Sequence, residues 1–133
     1  HGTDSLFSID VKAMYRLFSE VKHYMSRHKN PYHNFVHVID VLQSSSTIIF
    51  TFDAKPWFEG YEIECFSLCL SALVHDLDHP GLNNMYHSNA VTALAIRYND
   101  VSILENYHCA LAFEILYNPK FNIVPALTLT CKL

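Results

Sequence analysis

Three glycines and five prolines are all the strong punctuation in 133 residues. Between them, apolar residues recur at three and four, the spacing of a helix face, and no two-residue alternation persists long enough for a strand. The expected fold is therefore all-α, with about five helices. Val11, Met14, Tyr15, Phe18, Val21, Tyr24 and Met25 form the first apolar face, with Asp10 as its N-cap and an end near His28, before Asn30-Pro31. A second helix is expected from about 32–34 to Phe50, and a third from Glu59 to His75. The third carries Ile63, Phe66, Leu70, Leu73 and Val74, is apolar on most sides, and should lie centrally in the core. Asn83 to His87 reads as a loop. Ser88 or Asn89 would cap a fourth helix ending near Tyr98, and Ser102 a fifth ending at Asn118-Pro119.

Half the residues are apolar and 17% are charged, a composition that folds. The net charge is −4 with Lys and Arg scattered, which leaves no electrostatic footprint for nucleic acid. No run approaches the roughly 20 apolar residues of a membrane span. Cys65, Cys69, Cys109 and Cys131 make no disulfide framework. Cys65 and Cys69, four apart in an apolar stretch, fit buried small residues better than a zinc pair. A reducing, cytoplasmic setting follows as the expectation. The chain starts at His1 rather than Met and reads as a piece of a longer protein.

Histidine is the anomaly, with nine copies. The densest polar cluster is His75-Asp76-Leu77-Asp78-His79, where an apolar helix meets Pro80-Gly81. Burying two imidazoles and two carboxylates unpartnered is costly, and a divalent cation is the economical partner. A second motif is Tyr32-His33-Asn34-Phe35-Val36-His37. If helical, it sets His33 and His37 on one face, one turn apart, so that one could bind metal and the other act as a general acid. A third is Leu104-Glu105-Asn106-Tyr107-His108, whose carboxylate and imidazole suit either the orientation of metal-bound waters or a solvated helix face. Other residues take plainer readings. Trp57 and Phe58 are helix-entry packing, His23 and His28 face solvent, His87 is a loop residue, and Asp40 hydrogen-bonds within its helix or orients a ligand.

A His followed at a distance by a His-Asp pair resembles the HD-domain metal phosphohydrolases. The longer strings Tyr32-His33-Asn34-x-x-His37, His75-Asp76-x-Asp78-His79-Pro80-Gly81-x-x-Asn84 and Leu104-Glu105-Asn106-x-His108 resemble the 3′,5′-cyclic nucleotide phosphodiesterases, over residues 5–122. The resemblance implies the N-terminal part of that family's helical catalytic domain, acting on cAMP or cGMP in signal transduction. It implies His33 as the acid that protonates the leaving O3′, and His37, His75 and Asp76 as ligands of one ion. Asp76 would also bridge to a second ion. His79 and Glu105 would bind waters around that ion, His108 would stand with them as a residue behind the ligands or on a metal-bound water, and Tyr32 and Asn84 would line the substrate site. The ions implied are zinc and magnesium, or manganese. Regulatory domains or a homodimer in the parent protein are compatible with it. The chain departs from the pattern at Tyr107, where the family usually has His, and over residues 123–133, which read as a divergent or truncated tail. The family's later metal-binding Asp, purine-gripping Gln and aromatic clamp have no counterpart here, so the isolated chain is expected to be inactive and to expose an apolar patch. The alternatives are an HD-type hydrolase of another nucleotide or phosphate ester, and a non-catalytic metal-binding fragment.

Overall fold

Asp10 opens the first helix, α1 (Val11–Met25), as its sequence position suggests: its carboxylate accepts from the Lys12 N–H at 2.8 Å and pairs with Arg16 at 3.3 Å. The computed structural model describes residues 9–51 and 62–123. Within them follow α2 (Phe35–Thr51), α3 (Glu62–Val74), α4 (Asn84–Asn89), α5 (Ala93–Tyr98) and α6 (Ile103–Tyr117). All the regular elements among the described residues are helical.

The buried row of α1 is Ala13, Leu17, Val21 and Met25, each one turn from the last. Met14, Phe18 and Tyr24 flank it half-buried, whereas Val11 and Tyr15 of the expected face stay exposed, at 59% and 73%. The apolar arc of α1 is wider than its contact, so burial follows the i, i+4 row and the arc's edge faces solvent. Burying the Leu, Val and Met side chains of that row stabilises by roughly 1.5–3 kcal/mol each. The row meets Val38 of α2, Leu73 of α3, Leu77, Leu111, Ala112 and Ile115 of α6, and Phe121 and Ile123 beyond it. The Asp10 N–H also reaches the Ile123 carbonyl at 3.3 Å, so the start of α1 and the end of the described chain meet.

Four expectations need correction. Helix α1 stops at Met25, short of His28, because Ser26 closes it through N–H bonds to the His23 and Tyr24 carbonyls. His33 lies before α2 rather than within it. Asn34 is the residue that starts α2: its Oδ1 accepts from the Val36 and His37 N–H groups at 2.9 and 3.3 Å, an N-cap arrangement. The stretch read as a loop from Asn83 to His87 is helical, because the Asn83 side chain caps α4 by accepting from Tyr86 N–H. The single fourth helix is in fact two, since Thr92 caps α5 separately after a turn in which Val91 takes a left-handed φ of 49°.

Helix α3 is less central than its composition suggests. It packs chiefly on α2, buries Cys65, Ala72 and Leu73, and leaves Ile63 and Leu68 exposed at 45% and 44%. The expected start of α3 at Glu59, together with Trp57, Phe58, Cys131 and nearly all of the tail, lies outside the described residues. Ser102 stands at the start of α6 as expected, but its side chain makes no capping bond. The Leu104 N–H is taken instead by Asn84 Oδ1 at 2.9 Å.

Candidate metal centre

Three segments build the site. Asn34 fixes His37 in the first turn of α2, α3 ends in a turn carrying His75 to Asp78, and α6 presents Glu105 and His108. They converge on one atom. Asp76 Oδ2 lies 3.2 Å from His75 Nε2, 3.3 Å from His37 Nε2 and 3.9 Å from His33 Nε2.

The hydrogen bonds explain why this convergence suits a cation. His75 Nδ1 lies 2.9 Å from the Ala72 carbonyl, which can only accept. The proton therefore sits on Nδ1, and in the neutral ring Nε2 points a lone pair at an Asp76 oxygen. Two lone pairs at 3.2 Å need something positive between them, a proton or a metal ion. The electrostatics carry the same message. Hydrogen bonding to Asp76 pulls the His75 pKa up. Burial would raise the Asp76 carboxyl, but the hydrogen bond and charge of His75, with His108 and His33, outweigh it and hold Asp76 at about 2. Ligand atoms of His37, His75 and Asp76 lie within 4.8 Å of one another, which suits one ion at zinc-ligand distances of about 2.0–2.2 Å.

Asp76 also belongs to a second group, with His79 and His108, within the same 4.8 Å limit. The two imidazoles are not equivalent there. His108 is buried and donates Nδ1–H to the Leu77 carbonyl at 2.7 Å, leaving a lone pair on Nε2. His79 Nδ1 accepts from the Gly81 N–H at 2.9 Å, so in the neutral ring Nε2 carries the proton and is a donor, suited to a water rather than to a cation. Burial, then the charge of His33, pushes the His79 pKa down to about 4, and burial lowers that of His108. Gly81 has φ 82°, and a Cβ there would stand 2.6 Å from Asn30 Oδ1. Asn30 in turn donates to the carbonyls of His33, at 3.1 Å, and His79, at 2.7 Å, tying the two motifs together.

Tyr32 and His33 stand beside these groups. His33 stacks on His79, and Tyr32 packs against both His33 and His37, at ring separations of 4.9 and 4.6 Å. Glu105 is exposed and accepts from Asn84 Nδ2 at 2.9 Å, a bond that lowers its pKa. Cys65 and Cys69 belong to neither metal-suited group among the described residues. Burial raises the Cys65 pKa, and Cys69 lies 3.6 Å from Ser46 Oγ. Asp40 is exposed on α2, beside a shallow hollow that it lines with Gln43 and Thr47.

Asp78, His28 and His87 each find partners, and only His87 departs from its plainer reading. Asp78 is 4% exposed and is held by Arg27, His28 and Tyr107. His28 is exposed, as expected, and its Nε2 also lies 3.2 Å from that carboxylate. His87 is buried and bonded to Thr92 at 2.9 Å. Nothing adjacent in sequence announces these partners, although a second Asp inside a buried His-Asp motif is itself a sign that a cation must approach.

A family model described as 3′5′-cyclic nucleotide phosphodiesterase matches residues 32–132. The 3′,5′-cyclic-nucleotide phosphodiesterase regA of Dictyostelium discoideum is 40% identical over 92% of this chain, and the high affinity cGMP-specific 3′,5′-cyclic phosphodiesterase 9A of Drosophila melanogaster is 46% identical over 88%. The chain spans only 15% and 7% of those relatives' lengths. The phosphodiesterase domain of the RhoPDE fusion protein from the choanoflagellate Salpingoeca rosetta superposes with a TM-score of 0.81 at 35% identity, covering 93% of this chain and 38% of that one. With its three motifs assembled on a matching helical frame, the chain belongs to the 3′,5′-cyclic nucleotide phosphodiesterase family.

Proposed function

We propose that the protein carrying this chain hydrolyses a 3′,5′-cyclic nucleotide, cAMP or cGMP, to the 5′-monophosphate. The observation that supports this best is the single carboxylate oxygen of Asp76 facing His37 and His75, in a residue that also belongs to the second group. His37, His75 and Asp76 would hold one divalent ion, zinc by their donor chemistry, and Asp76 would bridge to a second, magnesium or manganese. Bound there, the ions supply the Lewis acidity that activates water and offsets charge on the phosphate. Water adds its oxygen to phosphorus, the P–O3′ bond breaks, and His33 gives a proton to the departing O3′. His33 suits that role because it stands beside the cluster without closing it, 3.9 Å from Asp76 Oδ2 and about a third exposed, at 36%. His79 and Glu105 would orient waters about the second ion, with His108 behind them. Tyr32 and Asn84 would line the substrate's approach.

The cytoplasmic setting is part of the same reading and rests on the free thiols of Cys65, Cys69 and Cys109. No helix among the described residues is long and apolar enough to cross a membrane. The test is to assay the full-length protein on cAMP, cGMP and simple phosphate esters, before and after chelation and metal restoration. Cyclic nucleotide turnover that is lost with the metal and returns with it is the expected result. Metal-dependent cleavage of other esters, with cyclic nucleotides untouched, would contradict it.

A further inference from the structure

Asp78 lies between two site residues but belongs to neither metal-suited group and makes a network of its own. Its backbone takes a left-handed φ of 59°, a conformation that Asp tolerates better than most side chains. Its buried carboxylate accepts from Arg27 Nη1 at 3.0 Å, faces His28 Nε2 at 3.2 Å and accepts from the Tyr107 hydroxyl at 2.5 Å. Arg27 and His28 lie just after α1, and Tyr107 lies on α6. The adjacent α6 residue, His108, holds the adjacent turn residue, Leu77, through its carbonyl. Two consecutive side chains of α6 therefore grip two consecutive residues of the turn, and Arg27 and His28, just beyond α1, hold it as well.

The network acts on one limb of the turn. His37, His75 and Asp76 come before it, anchored by the start of α2 and the end of α3. Leu77, Asp78 and His79 come after Asp76, and the His79 N–H closes the turn on the Asp76 carbonyl at 3.0 Å. We propose that Asp78, anchored by Arg27, His28 and Tyr107, is a positioning residue that sets His79 and His108 against Asp76 and so tunes divalent-cation affinity at the second group, leaving the first largely unaffected. The proposal rests on the metal-site reading above.

The test uses the full-length protein and two probes, manganese measured by electron paramagnetic resonance and zinc measured by chelator competition. Metal-free thermal midpoints are recorded alongside. Tyr107→Phe removes one hydroxyl and little else, and Asp78→Asn keeps size and backbone preference but loses the charge. Each is expected to weaken manganese binding about tenfold or more, the scale seen when partners behind metal ligands are removed, while zinc affinity holds. If Asp78→Asn fails to fold, Tyr107→Phe decides. Unchanged manganese affinity in Tyr107→Phe would overturn the proposal. So would parallel losses of zinc, manganese and thermal midpoint, which would mean a merely structural role. Wild-type protein that takes zinc but no manganese would overturn the reading of the second group itself, and the proposal with it.

Discussion

The rings of His33 and His79 stack face to face, centroids 3.9 Å apart and planes 3° from parallel, although 46 residues separate them in sequence. Burial, and after it the charge of His33, pushes the His79 pKa down to about 4. A histidine with a folded-state pKa below its ordinary value of about 6.5 stabilises the fold above that value. That contribution is lost as pH falls towards about 4, because the unfolded chain takes up the proton first. Urea midpoints of the metal-free protein should therefore drop across this window. His79→Gln should flatten part of the drop, leaving the part due to His108, which shifts in the same direction. A slope untouched by His79→Gln would count against the assignment.

His33 tests the division of labour at the site. His33→Ala should leave zinc affinity nearly unchanged and lower kcat by roughly a hundredfold or more, the usual scale of general acid catalysis. The loss should shrink for a substrate whose leaving group needs no proton. Equal losses on both substrate types would give His33 another role.

Asn84 joins the site to the frame. Its side chain accepts from the Leu104 N–H and donates to Glu105, each at 2.9 Å, and stands in for the capping bond that Ser102 does not make. Asn84→Ala should cost about 1–2 kcal/mol in chemical denaturation, and the Glu105 pKa, read by NMR titration, should rise. Asn84→Asp keeps the acceptor for Leu104 but sets a carboxylate against Glu105, so it should recover only part of the loss. No stability change in Asn84→Ala would show that α6 is capped by other means.

The site was largely legible because its chemistry is local: His75, Asp76 and His79 share one turn, and His33 and His37 share one short motif. Helix α1 was legible from its cap and period, although Tyr15 at the edge of the apolar arc went to solvent. What escaped was decided by distant partners or by side-chain caps. Asp78 finds Arg27 51 residues away, and Tyr107 29 residues away. His87 looked peripheral because nothing beside it in sequence shows that it is buried. The stretch from Asn83 to His87 lacks the apolar period of a helix, yet one Asn83 side chain is enough to start a short one.

The central claim is that His37, His75 and Asp76 hold one ion together. Anomalous diffraction at the zinc edge on crystals of the zinc-loaded protein tests it most directly. The account predicts a single strong peak about 2.0–2.2 Å from His37 Nε2, His75 Nε2 and an Asp76 oxygen. A peak at Cys65 and Cys69 instead, or an ion bound without His37, would contradict it.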